Sequence, residues 1–225
     1  MSITIFALIM ASMGVRAWRD LSNPDSWSYF HDRHSPSLTS VVSDNVLLDG
    51  SRRRVLAVSG EIGAAAAPWL RDRLDEAKLQ NGDVVVLSSP GGDLDQSLLM
   101  GEELRRRGLY SAVGKIDRLG NLTSSDCASG CVFVYAGGTR RYGIAGSRLG
   151  VHRFVSEGAS DPIAQAQRTT GRILGYVTRM GIDSSIVEAM SKTRAINWLD
   201  AKEAMAMNLI TAPVVPVSRS SGISD

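Results

Sequence analysis

The stretch Asp126-Cys-Ala-Ser-Gly-Cys-Val-Phe-Val-Tyr-Ala136 decides how the rest of the chain is read. It sets Ser129 between small residues and just ahead of an apolar run. Residues 132–136 suit either a strand or a buried helix. A serine nucleophile gains from the positive end of a helix, which favours a helix over about 129–136, stopped by Gly137-Gly138. A serine hydroxyl is a poor nucleophile until a base takes its proton, so the reading depends on a reachable histidine. Of the three histidines, only His152, in Gly150-Val-His-Arg153, lies within the region of alternating strands and helices.

A tetrahedral intermediate also needs fixed donors for its oxygen. Gly130 opens the expected helix, and Ser88-Ser-Pro-Gly-Gly92 ends an apolar strand upstream. The amides of Gly92 and Gly130 are therefore the candidate oxyanion pair, with glycine allowing close approach of a substrate. The surroundings of Ser129 do not match the Gly-x-Ser-x-Gly elbow, and the glycines match neither a Walker A loop nor a dinucleotide fingerprint. Cys127 and Cys131 are the only cysteines and flank Ser129 symmetrically. They can bridge in an oxidising compartment or stay as small buried hydrophobes. Two thiolates without nearby partners make no zinc site, so no metal and no cofactor are expected; His31 and His34 lie in an unrelated segment.

Around this centre the pattern is β-α-β. Residues 54–59 form an apolar strand, 64–79 a helix with apolar positions Ala67, Leu70, Leu74 and Ala77, and 83–87 a strand covered on both faces. Residues 95–107 form the next helix, stopped by Gly108, and 110–114 a third strand. Residues 147–152 read as a strand, 164–180, 184–190 and 201–207 as helices, and the segment from Thr211 as a strand. Two strand-helix-strand passages imply right-handed crossovers and a parallel α/β sheet, which binds ligands beyond its strand carboxyl ends.

The chain has 225 residues, 44% of them apolar, enough for one substantial core. A formal charge of +2, from 25 basic and 23 acidic residues, argues against a nucleic-acid partner. Arg52-Arg-Arg54, Arg105-Arg-Arg107 and Arg140-Arg141 read as solvated faces. Residues 1–17 read as a signal peptide or N-terminal membrane anchor: the run 3–15 is apolar, and Val15-x-Ala17 suits a cleavage site. That run is shorter than the roughly 20 residues of a spanning helix. Residues 18–50 read as a polar, irregular extension ending in a short edge strand at 45–48, residues 51–213 as the main domain, and 214–225 as a loose tail.

Three ordered motifs resemble the ClpP/crotonase superfamily, and most closely the Clp protease proteolytic subunit. They are Ser89-Pro-Gly-Gly92, Ala128-Ser-Gly130 and Ser147-Arg-Leu-Gly-Val-His152. Trp198-Leu-Asp-Ala-Lys-Glu-Ala204 followed by Asn208-Leu209 extends the resemblance over about residues 54–211. It implies a ClpP/crotonase-like parallel sheet with crossover helices, a serine-type peptidase acting on peptides or unfolded segments, Ser129 as nucleophile, His152 as base, and Gly92 and Gly130 as oxyanion donors. The family's aspartate is missing: counting back from Trp198 reaches Lys192, counting forward from Ile186 reaches Ala189, and Asp183 lies too early. Ser191 and Thr193 are the candidates for orienting His152, and a Ser-Lys arrangement through Lys192 is a remote option. The resemblance also implies a homo-oligomer held by a helical handle over about 161–180. An unfolding ATPase partner is not expected of an exported protein, which would be periplasmic or membrane-associated on the extracytoplasmic side; without export it would be cytoplasmic. Two competing readings are a ClpP-like scaffold without turnover and a crotonase-like acyl-CoA enzyme.

Overall fold

The computed structural model describes residues 3–154 and 161–216. Two helices precede the sheet, α1 (Ile3–Leu21) and α2 (Pro24–His34), where an irregular extension was expected beyond residue 17. The first helix runs past Ala17, through Trp18 to Leu21. Among the described residues no helix is long and apolar enough to cross a membrane. The second helix docks on the domain: the Asp32 carboxylate accepts from the Ala65 amide at 2.7 Å, and Arg33 pairs with Asp72 at 2.9 Å.

A long hairpin follows, β1 (Leu38–Leu48) paired antiparallel with β2 (Ser51–Gly60). The first strand is far longer than the expected edge strand because β2 pairs with it on both sides of a bulge between Ser43 and Val46. Asp49 and Gly50, with φ of 51° and 72°, make the tight turn. Then come α3 (Ala66–Glu76), β3 (Val84–Ser88), α4 (Leu94–Arg106) and β4 (Tyr110–Val113). The Asp93 carboxylate caps α4 by accepting from the Gln96 amide. All of β3 is buried, with Val85 and Leu87 turned to the helical layer and Val84 and Val86 to the opposite cluster. Each of these apolar side chains contributes about 1.5–3 kcal/mol by its burial.

Beyond β4 the chain forms the small hairpin β5 (Lys115–Ile116) and β6 (Leu122–Thr123), which drops Leu122 onto the second face of the sheet. Next are β7 (Asp126–Ala128), α5 (Gly130–Ala136), β8 (Arg141–Ile144) and β9 (Arg148–Val151). The chain ends with α6 (Pro162–Arg179), α7 (Ser185–Ser191), β10 (Asn197–Leu199), α8 (Ala201–Ala206) and β11 (Ala212–Val215). The main sheet runs β1-β2-β3-β4-β8-β11, parallel throughout except for β1. A second sheet, β10-β9-β7, carries the segments on either side of the expected nucleophile and base. The strand before His152 thus belongs to this smaller sheet and not to the main one. The expected tail lies outside the described residues beyond position 216.

Two of the three arginine runs depart from the solvated reading. Arg141 is 2% exposed, and Arg105 donates to the carbonyls of Ala136 and Met180. Glu103, 9% exposed, accepts from Arg106 at 3.0 and 2.6 Å and from Arg107 at 2.6 Å, while Arg107 reaches Asp75 at 2.6 Å and ties α4 to α3. The Arg106 hydrogen bond, ahead of burial and with Arg107 assisting, holds the Glu103 carboxyl below its ordinary 4.5. A carboxylate depressed on folding stabilises above its unfolded value and loses that contribution as pH falls through the folded one. Glu103→Gln is therefore expected to cost about 1–2 kcal/mol near neutral pH, with the gap from wild type closing in urea unfolding as pH falls through the lowered folded-state value.

Candidate active site

Ser129 occupies the N-cap of α5 with φ 54° and ψ −125°, a backbone shape rarely taken by a residue with a side chain. Several contacts hold it there. The Ser129 amide donates to Gly150 O at 2.8 Å, and Val132 donates back to Ser129 O at 3.0 Å. Gly91, at φ 104°, packs against the elbow so closely that a Cβ on it would lie 2.6 Å from the Ser129 Cβ. Cys127 and Cys131 are joined by a disulfide across a sequence separation of four. Both cysteines are fully buried.

The hydroxyl and the histidine are brought together: Ser129 Oγ and His152 Nε2 are 2.8 Å apart. The other ring nitrogen, Nδ1, lies 2.9 Å from the carbonyl oxygen of Arg153. A carbonyl can only accept, so Nδ1 carries the proton and Nε2 presents its lone pair to the Ser129 hydroxyl. That is the tautomer a general base requires. The Arg153 amide is in turn anchored on Thr193 O at 3.2 Å, and the imidazole stacks on Phe154 with centroids 5.7 Å apart.

This geometry corrects the expected orienting residues. The Ser191 hydroxyl donates to Val187 O, and the Thr193 hydroxyl accepts from the Ala195 amide; His152 takes neither, because Arg153 O already satisfies Nδ1. Thr193 contributes only its backbone carbonyl. Lys192 caps the end of α7 and is exposed, and the Asp183 carboxylate accepts from the Ser185 amide at 2.9 Å. A main-chain partner for histidine leaves no residue-type signal, so counting residues could not find it.

The second glycine segment lies across from the helix start. Ile62 donates to Gly91 O and accepts from the Asp93 amide, each at 2.8 Å. The Gly92 carbonyl is 3.3 Å from where a Gly130 Cβ would stand, which places this segment beside the start of α5. Gly130 is the first residue of α5, so its amide precedes the helical hydrogen-bond ladder. Two clefts meet the 90–93 segment. One of about 350 Å³ is walled by Leu94, Phe154, Ile173, Val187 and Met190, with Asp93 and Arg153 also lining it. The other, of about 650 Å³, has a mixed lining that includes Ser89, Lys115, Asp126, Arg148 and Trp198; Ser129 and His152 line neither cleft. Arg148 grips the Asp126 carboxylate at 2.9 and 2.6 Å, holding it below the usual carboxylate range, and lies 4.2 Å from the Trp198 ring. Among the described residues no His, Cys, Asp and Glu group is placed to hold a metal ion.

No protein-family model and no curated protein matches the chain. Solved structures do. ClpP1 from Listeria monocytogenes superposes with a TM-score of 0.55 at 15% identity, covering 76% of this chain and 94% of that one. A point mutant of ClpP1 from the same organism gives 0.56 at 15% identity, covering 72% and 91%. The elements that carry Ser129, His152, Gly92 and Gly130 are thus set in a ClpP-like α/β fold.

Proposed function

We propose that the protein is a serine-type hydrolase that cuts amide bonds in peptides or unfolded segments. The observation that carries this reading is the 2.8 Å contact between Ser129 Oγ and a His152 nitrogen whose tautomer is set by Arg153 O. Ser129 Oγ attacks the carbonyl carbon as its proton passes to His152 Nε2. The oxygen that gains charge is met by the amides of Gly92 and Gly130. Collapse of the intermediate expels the amine, which takes the proton from His152, and leaves an acyl group on Ser129. Water, deprotonated by the same imidazole, then releases the acid. The cleft beside Phe154 takes a side chain of the substrate, and the cleft beside Trp198 takes extended chain beyond it.

The protein acts outside the reducing cytoplasm, in keeping with its disulfide. It lies against a membrane surface through α1, whose apolar side chains from Ile3 to Leu21 are exposed, and it works as a homo-oligomer. The reading is tested with an unstructured polypeptide carrying a fluorescent donor and quencher. Wild-type protein should cleave it and folded Ser129→Ala should not; equal cleavage by the two, or none by folded and assembled wild type, would overturn the proposal. Pairing His152 with a neutral carbonyl and not a carboxylate favours slow turnover. Its extreme, a scaffold without turnover, is the second reading, and the same assay separates the two.

A further inference from the structure

We infer that the Cys127–Cys131 disulfide is a clamp on the nucleophile, holding Ser129 in the one backbone shape that brings its hydroxyl to His152. The inference rests on the hydrolase reading for its consequence, but on geometry for its existence. The two cysteines stand two positions before and two after Ser129, one in β7 and one in the first turn of α5. The bond therefore spans the strand-to-helix elbow, and Ser129 is its apex. At φ 54° and ψ −125° the apex is a conformation that an unconstrained serine leaves for ordinary regions. The hydrogen bonds to Gly150 O and from Val132 fix the flanking peptides. The disulfide adds a covalent limit on how far β7 and α5 can separate.

Both sulfurs are fully buried, and Cys127 is held between β9 and the end of the Ser88-Ser89 segment by strand pairing. The bridge closes too short a loop to constrain the unfolded chain much, compared with one that joins distant segments. Its effect is accordingly local and falls on the elbow. Removing it should leave the sheet and the apolar core in place while Ser129 samples shapes in which Oγ and Nε2 no longer meet. Positioning losses of this kind cost reactivity steeply. The folded molecule is expected to react about 10- to 100-fold more slowly.

The test compares wild type with Cys127→Ala/Cys131→Ala by the rate of labelling with a fluorophosphonate, expressed per folded molecule from thermal unfolding. Wild type reduced in denaturant and refolded with a phosphine is the second arm: the phosphine takes oxygen from water, the S–S bond breaks and two thiols form. The His152 ring ¹⁵N shifts report the contact with Ser129 independently of reactivity. The clamp predicts slower labelling at a little-changed melting temperature, altered Nε2 shifts, and recovery of both on reoxidation of the refolded protein. Equal labelling and unchanged shifts without the bridge would overturn it. Failure of both arms to fold would assign the bridge to the fold as a whole and overturn it too. If oxidised wild type does not label, the hydrolase reading fails by itself, and the ¹⁵N shifts still decide whether the bridge holds the elbow.

Discussion

His152→Ala is expected to slow the reaction of Ser129 with a serine-directed phosphonate by about 10²- to 10⁴-fold. The size follows from what the imidazole does at this place. It is the acceptor 2.8 Å from the Ser129 hydroxyl, its tautomer is fixed by Arg153 O, and no second base is within hydrogen-bonding distance of the hydroxyl among the described residues. The fold should barely notice the change, because His152 is partly exposed and its contacts are to its own neighbours Arg153 and Phe154 and to Ser129. A stability change within about 1 kcal/mol is anticipated. Labelling kinetics and a thermal melt on the same sample check both parts. Unchanged labelling would mean that the contact has no bearing on Ser129.

Arg141→Met should do the opposite and strike stability first, by about 3–5 kcal/mol. Arg141 is the first residue of β8, and its guanidinium reaches the carboxyl ends of three helices. It donates to Ala136 O at 3.4 Å and Gly138 O at 3.1 Å after α5, to Met180 O at 3.3 Å after α6, and to Leu209 O at 2.8 Å and Asn208 O at 2.6 Å after α8. Burial pulls its pKa down to about 10, which still leaves it cationic at neutral pH, facing the negative ends of the peptide dipoles. Replacing a buried ion pair with apolar groups is often harmless because both charges can be removed together. Here the partners are backbone carbonyls, which no substitution removes; Arg105 still serves Ala136 O and Met180 O, but methionine would take this donor from Gly138 O, Leu209 O and Asn208 O. Lysine keeps the charge but lacks the planar spread of donors, so Arg141→Lys should recover only part of the loss. Urea unfolding measures both variants; a Met variant as stable as wild type would refute this account of the junction.

The parallel strands were legible because continuous apolar runs such as Val84 to Leu87 are buried on both faces and leave a plain trace in the sequence. The helix after Ser129 was legible as well, since a nucleophile at its start gave a chemical reason to choose helix over strand. The smaller sheet was not: β7 and β10 have three residues each, too few for any periodicity to show. Arg141 hid within a charged pair, because burial of a cation depends on three helix ends that meet only in the folded chain. Ser129, His152 and the glycines could be found by residue type and order. The group that orients the histidine could not, being a peptide carbonyl that any residue supplies. Gly91, whose bare Cα admits Ser129 beside it, was visible only as one half of a glycine pair.

The central claim is that Ser129 is an activated nucleophile, and covalent labelling tests it most directly. Folded, oxidised protein is treated with a fluorophosphonate, digested and mapped by mass spectrometry. The account predicts one adduct, on Ser129, absent from Ser129→Ala and strongly slowed in His152→Ala. No adduct, or an adduct that persists in folded Ser129→Ala, would contradict it.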